Sequence, residues 1–68
     1  MQNLVEPLTE RELEILRLVS NGLSNNEIAV LLIVTVGTVK KHLNNIFGKL
    51  GVSSRTQALV SARALDLL

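Results

Sequence analysis

Lys40, Lys41, Asn44 and Asn45 recur with Gly37 and Gly48 at intervals of three and four, the spacing of one face of a helix. An ammonium donates to guanine O6 and N7, and a carboxamide pairs with adenine N6 and N7, so Lys40, Lys41 and Asn44 suit the edges of base pairs. The arc holds no acid, and its two glycines let another body come close to the helix surface. Thr35 and Thr38 stand where the segment begins, beside amides and a positive dipole end that suit a backbone phosphate. Lys49 and Arg55 are placed to clamp a neighbouring phosphate. A polar arc opposite an apolar stripe is also what an ordinary solvated helix shows, so the elements that present it matter.

Those elements are punctuated in the sequence. Thr9 with Glu12, Ser24 with Glu27 and Ser54 with Gln57 each have the spacing of a capping box, and Thr35 can cap a further helix. Gly22 and Gly51 supply the left-handed residue that ends a helix, followed by Leu23 and Val52. The pattern predicts an all-α fold, a compact four-helix domain with helices over about 10–21, 25–32, 36–50 and 55–65. In the third, Val36, Val39, Leu43, Ile46, Phe47 and Leu50 form the apolar stripe. The short second helix reaches the third through Ile33 and Val34, a tight turn with no glycine in which both side chains are expected to stay partly buried. Two helices across such a turn are how a recognition helix is presented to the major groove, whose width of about 12 Å matches a helix of about 10–12 Å. The fourth offers Ala58, Leu59, Ala62 and Leu65 to the core and Val60, Ala64 and Leu67 to another side. That second set fits either a two-fold contact with another copy on a palindromic site or scattered exposed apolar residues.

Composition narrows the classes. The chain has 68 residues, enough for one domain, and no Cys, Trp or Tyr, so its core is aliphatic and neither a disulfide nor cysteine-ligated zinc can staple it. His42 has no second His or Cys to complete a metal site, and no cofactor is expected. No serine lies in a motif that would activate a nucleophile, and so short a chain leaves little room for a catalytic pocket, which speaks against an enzyme. No apolar run approaches the roughly 20 residues of a membrane span, and the chain reads as soluble and cytoplasmic. The net charge is only +1, yet residues 1–32 carry −3 (five acids, two bases) and residues 33–68 carry +4 (five bases, one acid). The positive half is the candidate for a polyanion. Leu4-Val5-Glu6-Pro7 reads as the end of a linker, so that residues 1–7 are a lead-in and 8–68 the domain. The main rival to DNA binding is a helical interaction module contacting RNA polymerase or another regulator.

Leu8-Thr9-Glu10-Arg11-Glu12, Leu23-Ser24-Asn25-Asn26-Glu27-Ile28-Ala29, the run from Thr38 to Phe47 and the run from Lys49 to Ala58 together resemble the LuxR-type DNA-binding domain. The resemblance runs from Leu8 onward and implies a domain that binds DNA as a dimer and controls transcription in bacteria. It carries base contacts to Lys40, Lys41 and Asn44, and phosphate contacts to Ser24, Asn25, Thr38 and Lys49. The Val36-Gly37-Thr38-Val39 and Asn45-Ile46-Phe47-Gly48 stretches look most like the large ATP-dependent regulators related to the maltose-system activator, where such a domain is the C-terminal part.

Overall fold

Four hydroxyls start the four helices. In the computed structural model, which describes residues 7–68, the helices are α1 (Glu10–Ser20), α2 (Asn25–Leu32), α3 (Val36–Leu50) and α4 (Arg55–Ala64). Thr9, Ser24, Thr35 and Ser54 precede them in extended conformation, and each accepts the amide of its third helical residue: Glu12, Glu27 and Thr38 at 3.1 Å and Gln57 at 3.2 Å. The predicted bounds hold to within one residue. Asn21 and Leu65, expected as last helical residues, are the caps of α1 and α4. The boxes at Thr9 and Ser24 close reciprocally, through Glu12 Oε1 at 2.9 Å and Glu27 Oε1 at 2.8 Å. The third does not. Ser54 lies at φ −144°, against −73° and −76° in the complete boxes, and Gln57 Oε1 instead accepts the Ser53 amide at 3.0 Å and the Ser53 hydroxyl at 3.2 Å.

All four helices end the same way. One left-handed residue, Gly22, Ile33, Gly51 or Asp66 (φ 89°, 58°, 69° and 61°), turns the chain. The amide of the next residue then reaches back five positions: Leu23 to Leu18 O at 3.2 Å, Val34 to Ala29 O at 3.0 Å, Val52 to Phe47 O at 3.0 Å and Leu67 to Ala62 O at 2.8 Å. This is the double closure that satisfies orphan carbonyls and returns an apolar residue to the helix it follows. Leu23, Val34, Val52 and Leu67 all pack against the core.

Two expectations are corrected by these turns. Ile33 is 90% exposed rather than partly buried, because left-handed backbone swings its Cβ outward while Val34 alone turns in. Leu65, assigned to the core, is exposed, and Leu67, assigned to the opposite side, packs inward. The reversal at Asp66 exchanges them.

α3 is the hub. It packs on α1, α2 and α4, while α1 also meets α4. The buried core side chains are Ile15, Leu16 and Val19 of α1, Ile28 and Ala29 of α2, Val39, Leu43 and Ile46 of α3, and Ala58 and Ala62 of α4. Val36, Phe47 and Leu50 complete the α3 stripe from half-buried positions. Alanines at 58 and 62 let α4 lie close against it. No strand occurs among the described residues. Of the expected lead-in, residues 1–7, only Pro7 lies within them, and it is exposed.

A β-branched residue in left-handed backbone costs on the order of 1–2 kcal/mol, and Ile33 recovers little of it through burial. Ile33→Gly removes that strain at the expense of roughly 0.5–1 kcal/mol of chain entropy. Urea denaturation should therefore show a gain of about 0.5–1 kcal/mol. A loss of stability would mean that the side chain is held by contacts.

Candidate nucleic-acid interface

With the stripe of α3 turned inward, its opposite arc is fixed outward. Gly37, Lys40, Lys41, Asn44, Asn45 and Gly48 are all exposed, and α3 contains no acid. Neither lysine enters an ion pair among the described residues. The glycines are not demanded by the chain's own packing: a Cβ at Gly37 would meet only Thr35 Oγ1 at 3.7 Å, and one at Gly48 nothing within 4 Å. The space over both is open to another body. His42 sits half-buried on the flank between the two faces. At the start of the helix the Thr35 and Thr38 hydroxyls lie 3.0 Å apart and bond to each other, and the cap leaves the Val36 and Gly37 amides as the outward donors of the turn.

A shallow polar recess continues this surface. Lys40 borders it from α3, Ser24, Asn25 and Asn26 from the start of α2, and Arg55 from the start of α4. Arg55 is not free in it. Its Nη1 donates to Asn25 Oδ1 at 2.7 Å and its Nη2 to the Leu23 carbonyl at 2.7 Å. Lys49, the other cation assigned to a phosphate, points into the protein: Nζ donates to Glu12 Oε1 at 2.8 Å and to the Pro7 carbonyl at 3.3 Å, with 17% of its side chain accessible. Both cations therefore tie helices together, and Lys40 and Lys41 remain as the open charges of α3. On α4, Val60 and Ala64 share an exposed side, from which Leu67 is excluded by its turn inward.

A short helix joined by a tight turn to a longer one, with an acid-free outward face, is a helix-turn-helix. The chain matches the description "Bacterial regulatory proteins, luxR family" over residues 6–62. It belongs to the LuxR family. Over 65 residues it is 54% identical to the response regulator protein VraR of Staphylococcus aureus and to that of Staphylococcus epidermidis, covering 96% of this chain and 31% of each relative. The LuxR-family chain thus spans about a third of the curated relatives it matches. Among solved structures it is similar to the response regulator ChrA of a heme-sensing two-component system, with a TM-score of 0.89 and 44% identity over 93% of this chain and 31% of that one. It is also similar to the transcription factor GerE, with a TM-score of 0.84 and 39% identity over 90% of this chain and 91% of that one. This LuxR-family chain is accordingly a DNA-binding domain of a transcription regulator. Among its described residues no helix is long and apolar enough to cross a membrane.

Sequence reasoning missed the internal partners of two cations, Asn25 and the Leu23 carbonyl for Arg55 and Glu12 for Lys49. Glu12 was assigned only to its capping box, but it is buried, three and four residues before Ile15 and Leu16 on the inward side of α1. An acid on an apolar stripe needs a cation, and that position was the available signal. Burial pushes the Glu12 carboxyl up, but the hydrogen bond from Lys49, the Thr9 amide, the Lys49 charge and the Thr9 hydroxyl outweigh it and leave it below its ordinary value of 4.5. A carboxyl whose folded-state pKa is depressed stabilises fully above its unfolded value and ceases to do so as the pH falls through the folded one.

Glu12→Gln removes one partner of this pair and strands the Lys49 ammonium. Breaking a fully buried pair costs about 3–5 kcal/mol; since Lys49 keeps some access to water, about 2 kcal/mol is expected at neutral pH. The variant's stability should also fall less than that of the parent as the pH drops below about 4.5, because the linked proton uptake is gone. Parallel acid limbs in the two denaturation series would remove Glu12 as the group responsible.

Proposed function

We propose that the domain reads its operator by laying α3 in the major groove, with Lys40, Lys41 and Asn44 at the base edges. The observation that carries this reading is the acid-free arc of α3, where two unpaired lysines and two exposed asparagines face outward over glycines that leave room for the DNA. Phosphate contacts fall to Thr35 and Thr38 at the start of α3 and to Ser24 and Asn25 at the start of α2, where open first-turn amides add donors. Lys49 and Arg55, each bonded within the domain, are left out of that set. Two copies meet on a two-fold site through the α4 side bearing Val60 and Ala64. The work is binding, with no catalytic step and no cofactor, in the cytoplasm where the DNA is.

The parent protein on this reading is a response regulator, which the relatives VraR and ChrA support. The large ATP-dependent regulators suggested by two short stretches of α3 have no counterpart among those relatives. A contact with RNA polymerase or another regulator is the second reading. It is favoured by the apolar outer side of α2, where Val30, Leu31 and Ile33 stand exposed.

The test is selection from a pool of random duplexes at two salt concentrations, for the parent and for a Lys40→Ala, Lys41→Ala double variant. The parent should enrich a two-fold-related sequence and bind it more weakly at higher salt, with a slope near 0.9 for each phosphate neutralised. Each lysine that reads a base should cost about 1–3 kcal/mol on removal and relax the sequence preference. Binding that survives unchanged in the double variant would transfer the function to another surface.

For the α4 contact the informative comparison is Val60→Asp on duplexes bearing one or two half-sites. Affinity for a single half-site should be retained while the advantage of the second half-site is lost. Equal losses on both duplexes would dismiss the two-fold contact.

A further inference from the structure

We propose, on the strength of the DNA-binding reading above, that Arg55 is a positioning residue: its guanidinium holds the first turn of α2 at the edge of the recognition surface and does not itself take a phosphate. α2 needs such a hold. It is eight residues long, and its two buried side chains, Ile28 and Ala29, both lie in its middle. It packs chiefly on α3, and barely touches α1 or α4. Its first turn, Asn25-Asn26-Glu27, contributes no buried apolar side chain. Within the helix nothing hydrophobic therefore holds that first turn beside the recess; the nearest apolar anchor is Leu23, on the core just before the Ser24 cap.

Arg55 supplies the hold from the first position of α4. The two bonds at 2.7 Å reach the carbonyl just before Ser24 and the side chain just after it, so one planar fork grips both flanks of the residue that caps α2. These bonds carry a full charge on the donor side and are among the stronger kind. With both terminal nitrogens so used, the fork positions the start of α2 as a unit, carrying with it the first amides and the Ser24 hydroxyl that the Glu27 amide orients. Those groups would meet a phosphate. The same bonds link α4, which carries the proposed two-fold contact, to α2, which carries the proposed phosphate contacts. A lysine has the same charge but a single ammonium, and cannot reproduce a planar two-point grip.

The experiment uses the 68-residue chain and the duplex that the parent enriches from the random pool, followed by anisotropy across a salt series. The variants are Arg55→Lys and Arg55→Gln, each checked by circular dichroism to be folded at the temperature of the titration. Arg55→Lys and Arg55→Gln should both bind about tenfold more weakly, the scale of one charge-assisted hydrogen bond. The slope of log affinity against log salt should stay at the parent value. The assignment is overturned if Arg55→Lys binds as the parent does while Arg55→Gln loses about 0.9 of slope, which marks a direct phosphate ligand. It is equally overturned if the variants melt earlier but bind with unchanged affinity once folded, since that marks a role in stability alone. Failure of the parent to bind any duplex would instead remove the DNA-binding reading, a result visible before any variant is compared.

Discussion

Every connection in this domain is made by a left-handed residue, an apolar residue returned to the core and a hydroxyl that begins the next helix. Gly22-Leu23-Ser24 and Ile33-Val34-Thr35 have no spacer, and Gly51-Val52 reaches Ser54 across Ser53. The rest of the structure depends on this arrangement, because the enclosed core holds ten side chains, none larger than Leu or Ile. A core that small cannot by its own area decide how four helices are rotated about their axes. The turns decide it. Each closes two orphan carbonyls, and in doing so fixes where its apolar residue enters and at what angle the next helix departs. The phase of α3, and with it the identity of the residues facing outward, is inherited from the turns on either side.

Electrostatics acts within that frame by subtraction. The positive half of the chain carries five bases, but Lys49 is consumed by Glu12 and Arg55 by the start of α2. Neither pairing is a surface accident. The carboxylate of Glu12 is nearly inaccessible, and it already accepts the Thr9 amide through Oε1, so one oxygen serves both the helix cap and the interhelical pair. Cap, ion pair and packing of α1 on α3 are thus a single coupled unit, of the kind whose parts do not contribute additively.

The helices were legible because their ends are marked by residue type. Serine and threonine announced the starts, and two of the four stops carried glycine. The turns whose side chains are misplaced are the two without it. Ile33 and Asp66 adopt the same left-handed turn with no compositional sign of it, and the wrong placements of Ile33, Leu65 and Leu67 all follow from that one omission. The outward face of α3 was legible for the complementary reason: helical phase propagates along a continuous helix, so six apolar positions determine where the others point. What periodicity cannot convey is partnership across the fold. Lys49 and Glu12 are 37 positions apart, and Arg55 and Asn25 are 30 apart. Both lysine and arginine look the same in sequence whether they face a phosphate or a neighbouring helix.

That distinction bears on how tightly a single domain can hold DNA. With Lys49 and Arg55 engaged internally, α3 offers two free cations, and on the proposed reading both are directed toward bases. Even if both neutralised phosphates, α3 would contribute a salt slope of only about 1.8, against proteins making roughly 6–10 phosphate contacts. On that reading affinity would come from base readout, from neutral donors such as the amides at the starts of α2 and α3, and from joining two half-sites. Two tethered or contacting domains convert the second binding event into an intramolecular one and gain orders of magnitude without new charge. On the proposed reading the groove face would supply discrimination, and pairing of copies through the exposed apolar side of α4 would supply strength.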